Sequence, residues 1–344
     1  MGVLILETID LLSVFKGLND ENKFKLYREL WQKAGNYEVL TNYPLHLDIE
    51  LSGICNLKCE FCFQNGLINQ PLGFMDVELF KQIIDDGVKN GLCAIKLQIR
   101  GESFLHPRLF ECISYAKNKG VLDVQITTNA TLLNRNNIQE IIESGLDAII
   151  FSVDSHHGNS FVQKNNSERY SSTEKSIKEL LKYRLKLGRQ KPWIRLQSSI
   201  PQLDRDSFLK TKNYLKMKFP EADIFVVNRI YNYNNDIDAF PDLHINYELE
   251  PCNYLMHRLA IFWNGDITIC CADYNNKINL GNVAFKNIKE IWLSARMNAF
   301  RQLHKNDKRK DMSPCKHCGA CLAAKNNNSI VYDNTKQHCN DYQS

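Results

Sequence analysis

The stretch SGICNLKCEFCFQNG (Ser52–Gly66) follows a strand-like segment and places three cysteines within eight residues. Cys55, Cys59 and Cys62 are separated by three and by two residues. A cubane [4Fe–4S] cluster normally takes four thiolates, so three local ones leave one iron open to another ligand. Zinc is the alternative, but its structural sites are usually closed tetrahedra built from two ligand pairs, which this motif does not supply alone. The spacing therefore favours an iron–sulfur site with an open coordination position.

Length and composition are typical of a two-domain globular protein from a reducing compartment. The chain has 344 residues, beyond the range in which one hydrophobic core usually keeps growing. A net charge of +4 is small for this size and argues against a nucleic-acid or membrane binder. Twelve cysteines in clustered spacings indicate metal binding rather than a disulfide framework. We expect a cytoplasmic location, because we find no signal peptide and no apolar run of about 20 residues.

Strand-like and helix-like segments alternate six times in the middle of the chain. The predicted strands are 45–51, 95–99, 122–126, 148–153, 193–200 and 224–229. The predicted helices lie within 76–91, 107–120, 138–145, 172–188 and 208–215. Six repeats predict parallel strands with right-handed crossovers, hence an α/β fold, but are too few for an eight-stranded barrel. We expect an N-terminal helical cap (1–43) of two short amphipathic helices, a partial (β/α)6 barrel (44–240) and a small cysteine-rich C-terminal domain (241–344).

Polar side chains recur on one side of the predicted strands. They are Asp48, Glu50, Lys96, Gln98, Arg100, Asp123, Gln125, Thr127, Arg195, Gln197 and Ser199. The apolar side must pack on the helices, so the polar side faces the concave interior. Because a closed eight-stranded barrel fills its interior with branched apolar residues, a polar lining predicts an open barrel that holds a polar cosubstrate and substrate. The alternative is that these strands simply have one solvated face.

The cysteine motif reads CX3CXΦC, with Phe61 as the aromatic Φ, and resembles the signature of the radical S-adenosylmethionine (radical SAM) enzymes. The resemblance implies that Cys55, Cys59 and Cys62 hold a [4Fe–4S] cluster whose open iron chelates the amino and carboxylate groups of S-adenosylmethionine. It also implies reductive cleavage of this cosubstrate to methionine and a 5′-deoxyadenosyl radical that takes hydrogen from an unactivated C–H bond. An electron donor such as flavodoxin or ferredoxin is the expected partner.

The same resemblance implies cosubstrate contacts at successive strand ends. Gly101-Glu102 resembles the family's Gly-Gly-Glu turn for the methionine amino group, although Arg100 stands at its first glycine and Ser103 where proline is usual. The other implied contacts are the backbone of Phe61 for adenine, then Asn129, Ser152 and Asp154 for ribose and carboxylate, and Gln197 as a further candidate.

A second cysteine set lies in the last third of the chain. Cys252, Gly265 and Cys270 form CX12GX4C, and Cys315 and Cys318 follow as CX2C. The Asn264-Gly265 turn predicts a hairpin between 259–263 and 267–271. The set resembles the auxiliary-cluster domain called SPASM, or its shortened Twitch form, and implies that these four cysteines ligate one additional [4Fe–4S] cluster. Zinc bound by the same four thiolates is the alternative.

The cysteine spacing at the C-terminal end of the chain differs from the full SPASM pattern CX2CX5CX3C. Cys321 follows Cys318, whereas the pattern requires a cysteine at the position of Ala324. Three alternatives are open for Cys271, Cys321 and Cys339: they form a second auxiliary cluster, replace a ligand of the first, or have no metal role. We favour a single auxiliary cluster. Cys93 and Cys112 lie in apolar contexts and are expected to be core thiols.

These features predict a radical SAM oxidoreductase acting on a polar small molecule such as a sugar, aminocyclitol or nucleotide-linked sugar. For dehydrogenation, the auxiliary cluster would accept the second electron. For epimerisation, a thiol must return hydrogen, and Cys271 is the candidate. The alternatives are a maturase of a ribosomally made peptide and a non-catalytic iron–sulfur or zinc scaffold.

Overall fold

The N-terminal segment contains the two predicted helices and a short parallel ladder that the sequence did not indicate. The computed structural model describes residues 6–59, 62–153, 167–200, 205–229, 251–318 and 329–333. The first elements are β1 (Glu7–Ile9), α1 (Leu11–Phe15), α2 (Asp20–Gly35) and β2 (Val39–Thr41). Strands β1 and β2 pair in parallel. The Asn19 side chain caps α2 by accepting a hydrogen bond from the Asn22 backbone at 2.9 Å.

Six parallel strands follow one another in sequence order across a single sheet, as predicted. They are β3 (His46–Ile49), β4 (Ala94–Lys96), β5 (Asp123–Thr128), β6 (Ala148–Ser152), β7 (Trp193–Ile200) and β8 (Ile224–Arg229). Their neighbours pair in parallel throughout. The connecting helices are α3 (Val77–Lys89), α4 (Leu109–Asn118), α5 (Arg135–Glu143), α6 (Ser167–Lys186) and α7 (Arg205–Lys218). The α/β class and the parallel sheet are confirmed.

Four helix starts differ from the predicted ranges: α5 begins at Arg135 and α7 at Arg205, before the predicted 138 and 208, and α4 and α6 differ as well. Helix α4 begins at Leu109 rather than Pro107, because residues Ser103–Leu105 form a 3-10 turn and the Leu109 amide bonds the His106 carbonyl. Helix α6 begins at Ser167, so Ser172, the first residue of the predicted range, lies inside the helix. Propensity signals fix such boundaries only to within a few residues.

The C-terminal part extends the same sheet at both edges. After α8 (Tyr254–His257), strand β9 (Arg258–Ile261) pairs in parallel with β3, and β10 (Asp266–Thr268) and β11 (Gly281–Asn282) continue outward in antiparallel pairs. The β9–β10 hairpin is the predicted one, and Gly265 in its turn has a φ of +86°. Helices α9 (Ile288–Trp292) and α10 (Ala295–Lys305) follow, and β12 (Ser329–Asp333) pairs antiparallel with β8 at the opposite edge. The domain boundaries at 43/44 and 240/241 stay predictions.

One face of the six-stranded sheet packs into the core and the other carries the polar residues. Buried and half-buried residues alternate along β7: the buried ones are Ile194, Leu196, Ser198 and Ile200, and the half-buried ones are Trp193, Arg195, Gln197 and Ser199. Apolar residues of the strands and of the flanking helices belong to one continuous core. The alternation therefore gives the partial barrel a polar lining. Within the described ranges, no helix combines the length and the apolar character needed to cross a membrane.

Candidate active site

The three N-terminal cysteines lie on a loop directly after β3, and all three are half-buried. The Cys62 amide donates to the Cys59 carbonyl at 3.0 Å. The Gln64 side chain donates to the carbonyls of Gly53 at 3.2 Å and Arg100 at 2.7 Å, so it fixes the end of the loop against the turn after β4. Sequence reasoning missed Gln64, because nothing in the motif marks this position. Phe61 lies outside the described residues.

The Gly101-Glu102 turn packs against the start of this loop. A Cβ atom at position 101 would lie 2.1 Å from the Ser52 carbonyl oxygen and 2.5 Å from that of Ile54, so only glycine fits. The Glu102 amide donates to the Ile54 carbonyl at 2.9 Å. This close approach joins the turn to the segment that leads into Cys55.

The Glu102 carboxylate is buried and points to the end of β5. It accepts hydrogen bonds from the Thr128 hydroxyl at 2.7 Å and from the backbone amides of Asn129 at 2.8 Å and Phe104 at 3.1 Å. Burial raises the pKa of Glu102, and these hydrogen bonds oppose the shift. The carboxylate therefore ties the turn after β4 to the residue after β5.

Arg100, which departs from the family's glycine, has a structural function. Its guanidinium forms a buried two-point pair with Glu50, with N···O distances of 2.7 and 2.6 Å. It also donates to the Tyr274 carbonyl at 3.3 Å and lies 4.1 Å from the centre of the Phe262 ring. Arg100 thus connects β3, the turn and the C-terminal segment.

Asn129 lies beside the first cysteine. Its amide nitrogen is 3.9 Å from Cys55 Sγ and donates to Asn56 Oδ1 at 2.9 Å. The next residue, Ala130, has a φ of +59°, a left-handed conformation that is uncommon for a residue with a side chain. The structure therefore brings Gly101, Glu102 and Asn129 together around the cysteine loop.

The remaining predicted cosubstrate contacts lie further along the same edge. Ser152 at the end of β6 is half-buried and opposite Gln197 in the strand register. The Arg195 side chain donates to Gln197 Oε1 at 2.8 Å. Asp154 lies outside the described residues. The described side chains occupy the polar side of neighbouring strands, and their part in binding a cosubstrate stays a prediction.

Cys271 belongs to the polar lining of the barrel. It is half-buried, packs against Ile99 and Phe262, and forms a hydrogen bond with Asp48. Burial is the largest cause that raises the pKa of Cys271 to about 11, so the thiol is protonated at neutral pH.

Asp48 itself is fully buried and surrounded by basic groups. Its carboxylate lies 3.3 Å from His46, 3.5 Å from Lys96 and 3.5 Å from Arg258. Burial alone would raise the pKa of Asp48, but Lys96 and Arg258 hold it well below its usual range.

The second cysteine set includes two buried residues, Cys270 and Cys315, and two half-buried residues, Cys252 and Cys318, of which Cys252 contacts helix α10. The Cys252 carbonyl accepts from the Tyr37 hydroxyl at 2.8 Å, and the Cys252 amide donates to His304 Nδ1 at 3.0 Å. Burial raises the pKa of Cys270, and the thiols of Cys315 and Cys318 are close enough to add to the shift.

The spare cysteines fall into two groups. Cys93 and Cys112 are buried in the core, as predicted. Cys321 and Cys339 lie outside the described residues. In the part of the chain that the structure describes, no three His, Cys, Asp or Glu side chains form a ready-made metal site. The donor chemistry nevertheless fits iron–sulfur clusters, since both sets are thiols on turns and no disulfide joins the cysteines described.

Two protein families match this chain, one over the first cysteine set and one over the second. Residues 49–189 match the radical SAM superfamily, and residues 252–319 match SPASM, an iron–sulfur cluster-binding domain. Together the matches cover more than half of the chain. The chain belongs to the radical SAM superfamily. It is a radical SAM enzyme with a SPASM domain, and [4Fe–4S] clusters and S-adenosylmethionine are the cofactors that these domains imply.

Similar proteins extend along most of this radical SAM chain. The tungsten-containing aldehyde ferredoxin oxidoreductase cofactor-modifying protein of Pyrococcus furiosus is 27% identical over 318 residues, covering 80% of this chain and 88% of its own. The crystal structure of BtrN with AdoMet and 2-DOIA is 18% identical, with a TM-score of 0.55 over 80% of this chain and 92% of BtrN. Streptococcus suis SuiB, bound to precursor peptide SuiA, is 17% identical, with a TM-score of 0.59 over 88% of this chain and 76% of SuiB. The two structures support the partial-barrel fold.

Proposed function

We propose that this enzyme reductively cleaves S-adenosylmethionine and removes a hydrogen atom from a polar small molecule, such as a sugar, an aminocyclitol or a nucleotide-linked sugar. Cys55, Cys59 and Cys62 would hold the first cluster. When bound, that cluster supplies an open iron and the electron that cleaves the cosubstrate to a 5′-deoxyadenosyl radical. The proposed outcome is dehydrogenation or epimerisation of the substrate.

The chain's own residues would orient the cosubstrate. Gly101 permits the turn to lie against the cysteine loop, and Glu102 fixes that turn to the end of β5. Asn129 lies beside Cys55, where its amide group is within reach of a molecule bound at an open iron. Ser152 and Gln197 extend this polar edge toward the substrate.

The observation that carries the substrate class is the half-exposed polar lining of β4, β5 and β7. Its half-buried members are Lys96, Gln98, Gln125, Thr127, Arg195, Gln197 and Ser199. Amide, hydroxyl and cationic groups suit a ligand rich in hydroxyl, amino or phosphate groups, because each buried polar group of the ligand requires a partner. A predominantly apolar substrate would cover these groups without offering them hydrogen bonds.

The similar proteins also favour a small molecule. The Pyrococcus furiosus relative, which spans most of both chains, is named for modifying a cofactor. BtrN was solved with AdoMet and 2-DOIA, and this chain covers 92% of it. From these two proteins and the polar lining, we propose that this enzyme acts on a small molecule.

A peptide maturase is the second candidate, supported by the likeness to SuiB bound to its precursor peptide. The same lining would also accept Asp, Ser or Asn side chains of a peptide. This chain covers 76% of SuiB, however, against 92% of BtrN. The non-catalytic scaffold has no support from the family assignment.

Anaerobic reconstitution followed by product analysis tests the proposal. About eight irons per chain are expected for two clusters, and about twelve for a second auxiliary cluster. The reduced protein should release 5′-deoxyadenosine, and a deuterated substrate should transfer deuterium to it. Cys59→Ala should abolish this release, whereas Cys112→Ala, which changes a buried core thiol, should keep it. Deuterium transfer from a peptide but from no sugar, aminocyclitol or nucleotide-linked sugar would favour the maturase.

A further inference from the structure

Two arginines are buried beside the second cysteine set. Arg301 on helix α10 is 0% exposed and Arg309 is 1% exposed. The guanidinium of Arg309 donates to the carbonyl of Cys318, one of the four proposed ligands. Removing a cation from water is costly unless an opposite charge lies nearby. An anionic group should therefore lie near these arginines.

Among the described residues, every hydrogen-bond partner of Arg301 is neutral. Its guanidinium donates to the carbonyls of Leu255 at 3.0 Å and Trp292 at 2.9 Å and to Asn298 Oδ1 at 2.8 Å, and it stacks 4.1 Å from the centre of the Trp292 ring. Among the described residues no carboxylate forms an ion pair with it, and its Nη2 atom has no hydrogen-bond partner. Burial lowers the pKa of Arg301 to about 9, so the group is still cationic at neutral pH.

Three other buried arginines of this chain form ion pairs within the protein, whereas Arg28 has none among the described residues. Arg100 pairs with Glu50, Arg184 with Asp223, and Arg258 with Asp48. Arg301 is therefore a buried cation for which the described polypeptide supplies no counter-charge.

The Tyr37 hydroxyl places Arg301 and the cysteines in one neighbourhood. Burial raises the pKa of Tyr37, the charges of Cys252 and Cys315 raise it further, and Arg301 and Arg309 oppose the shift. The buried His304 ring, whose Nδ1 accepts from the Cys252 amide, leaves its Nε2 atom without a partner among the described residues. The unpartnered Nε2 atom of His304 and the uncompensated charge of Arg301 thus both lie on helix α10, which contacts the backbone of Cys252.

We propose that Arg301 supplies the positive charge that compensates an auxiliary iron–sulfur cluster held by Cys252, Cys270, Cys315 and Cys318, and raises its reduction potential. This inference rests on the proposed cluster assignment. A cluster ligated by four thiolates is anionic and gains negative charge on reduction, so a buried cation nearby stabilises the reduced form more than the oxidised form. A raised potential suits an electron acceptor, and the inference therefore favours dehydrogenation over epimerisation.

The test compares Arg301→Gln, which removes the charge, with Arg301→Lys, which keeps it, in the reconstituted full-length protein. The control is Arg296→Gln, on the exposed side of the same helix. Redox titration followed by electron paramagnetic resonance should show the auxiliary cluster of Arg301→Gln about tenfold harder to reduce, a shift of about 59 mV for a one-electron couple. Arg301→Lys and Arg296→Gln should stay near wild type, and the first cluster should be unaffected in all three.

Each outcome is informative. An unchanged potential in Arg301→Gln, or an equal shift in Arg301→Lys, would overturn the proposal. Loss of auxiliary iron from Arg301→Gln but not from Arg301→Lys would support it, and equal loss from both would refute it. A wild-type protein that binds only about four irons would instead refute the auxiliary-cluster assignment, and with it the basis of this inference.

Discussion

Replacing Arg100 by methionine tests whether the departure from the family's glycine is a structural link. Methionine keeps most of the length of the side chain but removes the guanidinium, which leaves Glu50 buried without its cation. The side chains of the pair are 2% and 0% exposed, and the two N···O contacts are 2.6 and 2.7 Å. The change also removes the contact with the Tyr274 carbonyl and the stacking on Phe262.

The expected cost follows from this geometry. Breaking a fully buried ion pair by deleting one partner typically costs about 3–5 kcal/mol, because the remaining charge has lost its compensation. Two backbone donors still reach Glu50, from Arg100 at 3.0 Å and Trp263 at 3.3 Å, which favours the lower end of that range. The double variant Arg100→Met with Glu50→Gln removes both charges. It should therefore be more stable than the sum of the single changes by about 1–3 kcal/mol.

The assay is denaturant unfolding of the reconstituted protein under anaerobic conditions, followed by tryptophan fluorescence for wild type, both single variants and the double variant. Arg108→Met is the matched control, because Arg108 pairs with Glu111 on the surface and should cost less than about 1 kcal/mol. A loss below about 1 kcal/mol for Arg100→Met, or additive single effects, would refute the assignment of the pair as a buried link.

Three further changes test the turn, a buried carboxyl and the redox outcome. Gly101→Ala puts a Cβ atom 2.1 Å from the Ser52 carbonyl oxygen. This change should abolish 5′-deoxyadenosine release and lower the free energy of unfolding by about 1–3 kcal/mol. Gly120→Ala, with open space around it, should keep the release. Burial raises the pKa of Asp123 to about 6, so stability falls as pH rises from about 4 to about 6. Asp123→Asn should therefore stabilise the protein by about 1–3 kcal/mol at pH 7 and hardly at pH 4 in denaturant unfolding, and equal effects would contradict this. The third test runs the reaction in D2O and analyses the product by mass spectrometry. Neither the wild type nor Cys271→Ser should introduce solvent deuterium at the reacting carbon. Deuterium in the product of the wild type but not of Cys271→Ser would indicate epimerisation through this thiol.

The repeating part of the fold could be predicted because its signals are local. Strand β7 was predicted over residues 193–200, where the structure has it, since Ile194, Leu196 and Ile200 stand at the spacing of one strand face. The β9–β10 hairpin followed from the Asn264-Gly265 turn, which matches the twist of the flanking strands. Both patterns are complete within about ten residues, so no distant contact had to be known.

The contacts that join the site to the rest of the molecule could not be predicted in this way. Gln64 reaches a carbonyl 36 residues away, and Arg100 reaches one 174 residues away. The pairing of β9 with β3 likewise joins distant segments that each look complete in sequence. Only the folded chain shows that Arg100 has a buried partner, because Glu50 follows β3 and lies 50 residues earlier in the chain.

The consecutive residues Cys270 and Cys271 connect the two cysteine regions with the barrel. Cys270 lies in the buried surroundings of Cys315 and Cys318, whereas Cys271 packs against Ile99 and bonds to Asp48 on the polar lining. Two adjacent residues of one segment therefore lie on the polar lining and in the proposed auxiliary site. Hydrogen return would depend on position 271 and electron removal on the charge at Arg301. Hydrogen return is measured by isotope incorporation, and electron removal by the reduction potential of the cluster. Comparing the variants at both positions therefore separates epimerisation from dehydrogenation before the substrate's full structure is known.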